Sequence, residues 1–180
     1  MPCYIAFLRA INVGGHTVKM DRLRSLFEEL SFANVETFIA SGNVIFEAAE
    51  EDTRSLEKRI EEYLQNSLGY AVATFLRTPE ELERIAKYDP FEEYSPESDN
   101  FRQYVAFITA AHGAEMQAKL DTLRTATDEF RINEREIYWL RRINVGESEF
   151  SGAVLEKVIG VPATMRNCTT LRKLVKKISA

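Results

Sequence analysis

Apolar and polar positions along this chain change their period in a regular order, and the order is used twice. Residues 4–11, Tyr4-Ile5-Ala6-Phe7-Leu8-Arg9-Ala10-Ile11, are almost continuously apolar, which predicts a buried strand. Two adjacent glycines then punctuate Asn12-Val13-Gly14-Gly15-His16 as a loop. Met20, Leu23, Leu26, Phe27 and Leu30 follow at the spacing of one helical face. Residues 35–39 and 44–48 are expected to be strands, joined through Ser41-Gly42-Asn43 as a tight hairpin. A helix with Leu56, Ile60, Tyr63 and Leu64 inward runs to Gly69, and residues 71–77 make a fourth strand. The sum is βαββαβ, the ferredoxin-like order.

Thr78-Pro79-Glu80-Glu81 opens a further helix. Threonine at the N-cap, proline in the first turn and glutamate three residues on form a capping box. That helix packs through Leu82, Ile85 and Ala86. Residues 88–102 are polar, acidic and proline-bearing, and predict a linker.

The pattern then resumes. Tyr4-Ile5-Ala6-Phe7-Leu8-Arg9-Ala10 reappears as Tyr104-Val105-Ala106-Phe107-Ile108-Thr109-Ala110. Phe75-Leu76-Arg77-Thr78 is echoed by Thr164-Met165-Arg166-Asn167, each before an amphipathic helix. Strands over 104–109, 127–133, 136–142 and 163–166 are predicted. Helices are predicted over 113–124, with Met116, Leu120 and Leu123 inward, and 151–160, with Val154, Leu155, Val158 and Ile159 inward. A last helix presents Leu171, Leu174, Val175 and Ile178 on one face. The expected fold is therefore α+β, two ferredoxin-like subdomains as an internal repeat. The first spans 1–88, a linker 89–102, and the second 103–180 with an extra C-terminal helix.

Composition narrows the chemistry. The 180 residues carry 23 basic and 28 acidic side chains, a net charge of −5. That balance argues against general nucleic-acid binding, which favours a basic domain. No apolar run approaches a membrane span, so no membrane association is expected. Met1-Pro2-Cys3-Tyr4 lacks the basic start and cleavage site of a signal peptide. Two isolated cysteines, Cys3 and Cys168, suit a reducing cytoplasmic setting without a disulfide. Only His16 and His112 supply imidazole, and no cluster has zinc spacing. The sequence thus implies no metal site and no cofactor.

The leading candidate site is the loop after the first strand. Glycines at a strand-to-helix turn expose backbone N–H groups near a helix N-terminus, which suits an anion. Arg9 and Lys19 add positive charge. In a βαββαβ unit the 41–43 turn lies at the same sheet end, so Ser41 and Asn43 join the candidates. The candidate ligand-binding set is Arg9, Asn12, Gly14, Gly15, Lys19, Ser41 and Asn43. The competing reading is that the glycines only turn the chain. Arg77 and Arg166 oppose the dipoles of the helices they precede, so each needs a carboxylate partner or an anion. Cys168 at a helix N-terminus invites the idea of an activated thiol, but no histidine lies near it in sequence.

Taken together these segments resemble the bacterial family designated domain of unknown function 1697. The resemblance rests on Leu8-Arg9-Ala10-Ile11-Asn12-Val13-Gly14-Gly15 with Lys19-Met20 and Leu23, and on Ser41-Gly42-Asn43-Val44-Ile45-Phe46. Arg77-Thr78 with Glu81-Leu82, Pro90-Phe91, Leu155-Glu156-Lys157, Gly160, and Ala163-Thr164-Met165-Arg166-Asn167 with Thr170 extend it over nearly the whole chain. It implies a fold of two ferredoxin-like parts and no activity. The family usually shows Ser-Lys-Leu where this chain has Ser148-Glu149-Phe150, and the acid argues against an anion site there. It often carries an aromatic residue in place of Cys168, which argues against a catalytic thiol. Three function classes follow. The first is a binding module for an anionic metabolite or nucleotide. The second is an enzyme acting on a phosphorylated small molecule, with no acid, base or nucleophile identified. The third is an interaction module using sheet edges.

Overall fold

The computed structural model describes residues 1–49, 52–94, 100–111, 113–143 and 145–180. His112 and the linker stretch 95–99 lie outside them. The backbone divides into two compact units, Met1–Leu82 and Glu83–Ala180.

In the first unit, β1 (Cys3–Leu8) leads to α1 (Met20–Glu29), β2 (Ala33–Thr37), β3 (Asn43–Glu47), α2 (Thr53–Leu68) and β4 (Thr74–Arg77), and α3 (Pro79–Lys87) begins in this unit and ends in the next. The sheet order is β2-β3-β1-β4, antiparallel throughout. Leu23, Leu26 and Phe27 of α1 and Leu56, Ile60 and Leu64 of α2 are buried on one face of it. Each such side chain removed from water stabilises by about 1.5–3 kcal/mol. Asp52 caps α2 by accepting from the Ser55 N–H, and Gly69 ends it at φ 83°. The expected capping box of α3 is present in both directions. The Thr78 hydroxyl accepts from the Glu81 N–H, and the Glu81 carboxylate accepts from the Thr78 N–H.

The second unit runs β5 (Phe101–Phe107), α4 (Ala114–Asp121), β6 (Asp128–Asn133), β7 (Glu136–Arg142), α5 (Gly152–Ile159), β8 (Thr164–Asn167) and α6 (Cys168–Ile178). Its order is β6-β7-β5-β8, so β5 holds the place that β1 holds in the first sheet. The core under α4 and α5 is built from Ala106, Met116, Leu120, Phe130, Ile137, Trp139, Leu155 and Ile159. Val154, expected inward, is exposed, because α5 turns Leu155 and Ile159 to the core one position later. β5 begins at Phe101, so the last residues expected in the linker are already paired in the sheet.

Two edge strands are closed by side chains from the overlying helices. Glu61 and Glu57 of α2 accept from the backbone N–H groups of Thr74 and Leu76 on β4. Gln117 of α4 accepts from the Ile132 N–H and donates to the Phe130 carbonyl on β6. Satisfying these groups removes the template for pairing with another chain.

Candidate functional site

The loop after β1 and the loop between β2 and β3 meet, as the topology requires, and Asn12 joins them. Its side-chain amide donates to the Ala40 carbonyl at 2.9 Å, and its oxygen accepts from the Val18 N–H at 2.7 Å. The β2–β3 connection is wider than a tight hairpin, since residues 38–42 separate the strands. Gly42, at φ 84°, brings its backbone so near β1 that an added Cβ would stand 2.9 Å from Ile11 Cβ. Its carbonyl accepts from the Leu8 N–H at 2.9 Å.

Asn43 is fully buried, and its amide donates to the Phe38 carbonyl and the Ser41 hydroxyl, both at 2.9 Å. It holds the turn in shape and presents nothing to solvent. Asn12, Ser41 and Asn43 therefore form the frame of the candidate site. Gly14, Gly15 and Lys19 lie outside that frame and are exposed, and Arg9 is half-buried. Lys19 occupies the N-cap of α1 without a side-chain capping bond.

The backbone of this loop is unusual. Ala10, Asn12 and Gly14 are left-handed, at φ 63°, 57° and 61°, alternating with Ile11 and Val13, and Gly15 follows Gly14 directly at φ 85°. Alternation of this kind turns successive N–H groups toward one side, a concavity that suits an anion. Among the described residues, none of the N–H groups from Asn12 to Gly15 donates to a protein acceptor. Ile39, at φ 52°, is a β-branched residue in a region such residues rarely enter. At the far end of the loop, the His16 ring stacks on Tyr70 with centroids 3.7 Å apart. No residue pattern foretold that contact. The Tyr70 hydroxyl is buried without a hydrogen-bond partner among the described residues, and burial raises its pKa.

Arg77 and Arg166 occupy matching places, opposite Ile5 on β1 and Val105 on β5. Both are buried. Arg77 donates to the Leu76 carbonyl at 2.8 Å, and Arg166 to the Thr164 hydroxyl at 2.8 Å and the Met165 carbonyl at 2.9 Å. Burial lowers the Arg166 pKa to about 10.

Cys3 and Cys168 are free and half-buried. Burial pushes the Cys168 thiol up to about 11, against the smaller pull of Arg172, so it is a poor nucleophile.

The second unit holds a buried carboxylate network, centred on Asp128, that sequence reasoning missed. Asp128 is buried and accepts from Trp139 Nε1 at 2.8 Å, from the Ser148 hydroxyl at 2.8 Å and from the Thr127 hydroxyl at 2.7 Å. It lines a cavity of about 250 Å³ with Thr122, Leu123, Thr125, Phe150 and Val154. With its oxygens satisfied, Asp128 pins the 148–150 loop to the sheet and stands as a structural acid. The spacing of Asp128 and Ser148 in sequence offered no signal for this pair. Among the described residues no cluster of side chains has the makeup of a metal site, and no helix is long and apolar enough to cross a membrane.

No curated protein matches the chain significantly. Among solved structures, that of a conserved bacterial protein from Streptococcus pneumoniae, SP0830, is similar at 22% identity, with a TM-score of 0.76. The match covers 100% of this chain and 99% of that one. It shows the fold of two four-stranded antiparallel sheets with helices between strands, consistent with two ferredoxin-like subdomains. Residues 1–138 match the model of a family described as a protein of unknown function, DUF1697, a stretch that contains both converging loops. This chain is a member of the DUF1697 family.

Proposed function

We propose that the first unit binds a small anionic metabolite at the end of its sheet, in the loop from Ala10 to Lys19. The observation that carries this reading is the set of left-handed residues Ala10, Asn12, Gly14 and Gly15, in a loop whose N–H groups from Asn12 to Gly15 meet no protein acceptor among the described residues. Lys19 forms no ion pair among the described residues and supplies the cation beside them. Val13 and Ile39, 57% and 52% exposed, flank the Asn12–Ala40 hydrogen bond and offer apolar surface to the carbon part of a metabolite. Arg9 borders the loop on the strand side. Asn12, Ser41 and Asn43 serve as its frame.

The interaction reading is weakened by the closed edges of β4 and β6. The enzyme reading gains no acid, base or nucleophile: Cys168 is a suppressed thiol and Asp128 is satisfied. A thermal-shift panel of phosphate, pyrophosphate, nucleotides and small dicarboxylates tests the proposal. An anion at a hundred times its Kd adds about 2.7 kcal/mol of stability and raises Tm. Lys19→Ala is expected to weaken that ligand about tenfold or more, the worth of one charge-assisted contact. Silence across the panel overturns the reading.

A further inference from the structure

β5 and β7 meet in a ladder of facing residues: Ala106 with Ile137, Tyr104 with Trp139, and Arg102 with Arg141. The first two rungs belong to the core under α4 and α5, where the Tyr104 and Trp139 rings stack at 4.5 Å. Strand alternation puts Arg102 and Arg141 on that same face, one rung beyond the aromatic pair. Arg102 is exposed and Arg141 half-buried.

Two like charges directly opposite each other on a sheet repel. Elsewhere in this unit the sequence answers clustered arginines with an acid. Glu129 takes Arg124, Arg131 and Arg142 together, and Arg131 also reaches Glu93. Arg102 and Arg141 receive no such answer: neither has a carboxylate partner among the described residues. The acid facing Arg141 across the sheet is Asp128, and its oxygens are already taken by Trp139, Ser148 and Thr127. Glu149, on the next loop, pairs with neither arginine.

We propose that Arg102 and Arg141 together bind the phosphoryl group of a small molecule. Facing residues on a sheet have Cβ atoms about 4.5–5.5 Å apart, close enough for both side chains to converge on one anion. Each guanidinium is a planar fork of donors, and one fork already satisfies a carboxylate. A tetrahedral phosphoryl group has oxygens for both. The site lies within the second unit and shares no residue with the loop of the first.

Trp139 is the sole tryptophan of the chain and stands one rung from Arg141, so its emission reports on this site. The experiment titrates the full chain with pyrophosphate, with inorganic phosphate, and with chloride at matched ionic strength, following Trp139 fluorescence. The variants are Arg102→Gln, Arg141→Gln and Lys19→Ala. A saturable change with the phosphates but not with chloride is expected in the wild type and in Lys19→Ala. Affinity should fall about tenfold or more in each glutamine variant, with far-UV circular dichroism unchanged. No saturable change in the wild type overturns the site. So does an Arg141→Gln protein that titrates like the wild type. A response lost only in Lys19→Ala assigns the anion to the loop of the first unit and overturns it equally.

Discussion

Replacing Asn43 by alanine separates the frame of the candidate site from its binding surface. The side chain is fully buried, and its amide makes two hydrogen bonds of 2.9 Å, to Phe38 O and Ser41 Oγ. Each bond contributes about 0.5–1.5 kcal/mol net, and an acceptor left buried and unpaired adds about 1–3 kcal/mol. The expected loss is about 2–4 kcal/mol of unfolding free energy. With a urea slope of about 2 kcal/mol/M, the middle of the usual range, that moves the midpoint down by about 1–2 M. Lys19→Ala provides the contrast: an exposed side chain at an N-cap it does not itself cap should change stability by less than about 0.5 kcal/mol. Urea unfolding followed by far-UV circular dichroism, with phosphate affinity measured on the same variants, gives both readings. The reasoning is refuted if Asn43→Ala unfolds at the wild-type urea concentration while binding an anion less well. Asn43 would then be a ligand contact and not a strut.

Further outcomes follow from the same geometry. Gly42→Ala should destabilise by about 2–4 kcal/mol, because the new Cβ meets Ile11 at 2.9 Å in a left-handed backbone; thermal unfolding checks this, and a neutral result rules out the close approach. Cys168, its thiol raised by burial from 9.0 to about 11, should carry about a hundredfold less thiolate near neutrality, and mass spectrometry should find it alkylated far more slowly in the folded chain than in urea. Burial opposes the charge of Glu129, but the Tyr94 hydrogen bond, the Arg142 contact and the nearby Arg124 and Arg131 together hold its carboxyl below the usual range. A depressed folded pKa contributes stability that is present above the unfolded value and lost as pH falls through the folded one. Acid unfolding below about pH 4.5 should therefore be less steep in Glu129→Gln, and an unchanged acid limb contradicts the assignment.

Much of the fold was legible because it rests on local rules. The apolar runs that became β1 and β5, the capping box at Thr78 and Glu81, and the terminal glycine of α2 all act over a few residues. The loop-to-turn contact was legible from topology alone, and Asn12 makes it. Other features depend on partners far apart in sequence. Asn43 carries the composition of a hairpin turn, yet it is fully buried beside Gly42, which packs closely on Ile11 and Leu8. Asp128 bonds Ser148 across a long connection, and His16 stacks on Tyr70, which follows the C-terminal end of α2 far along the chain. Val154 fits the apolar stripe as well as Leu155 does, and only the rotation of α5 decides which is inward. The opposed arginines arise from strand register, which a one-residue slip would abolish.

The claim that the Ala10–Lys19 loop holds an anion is tested most directly at its backbone. In a nitrogen–proton correlation spectrum, the amides of Gly14 and Gly15 are distinctive and belong to the proposed binding loop. Titration with phosphate or the best anion from the thermal panel should shift both along one saturable curve, with the same Kd for each. In Lys19→Ala the curve should move to about tenfold higher concentration or more. Amides of Gly14 and Gly15 that stay in place while ligand saturates the protein would contradict the account.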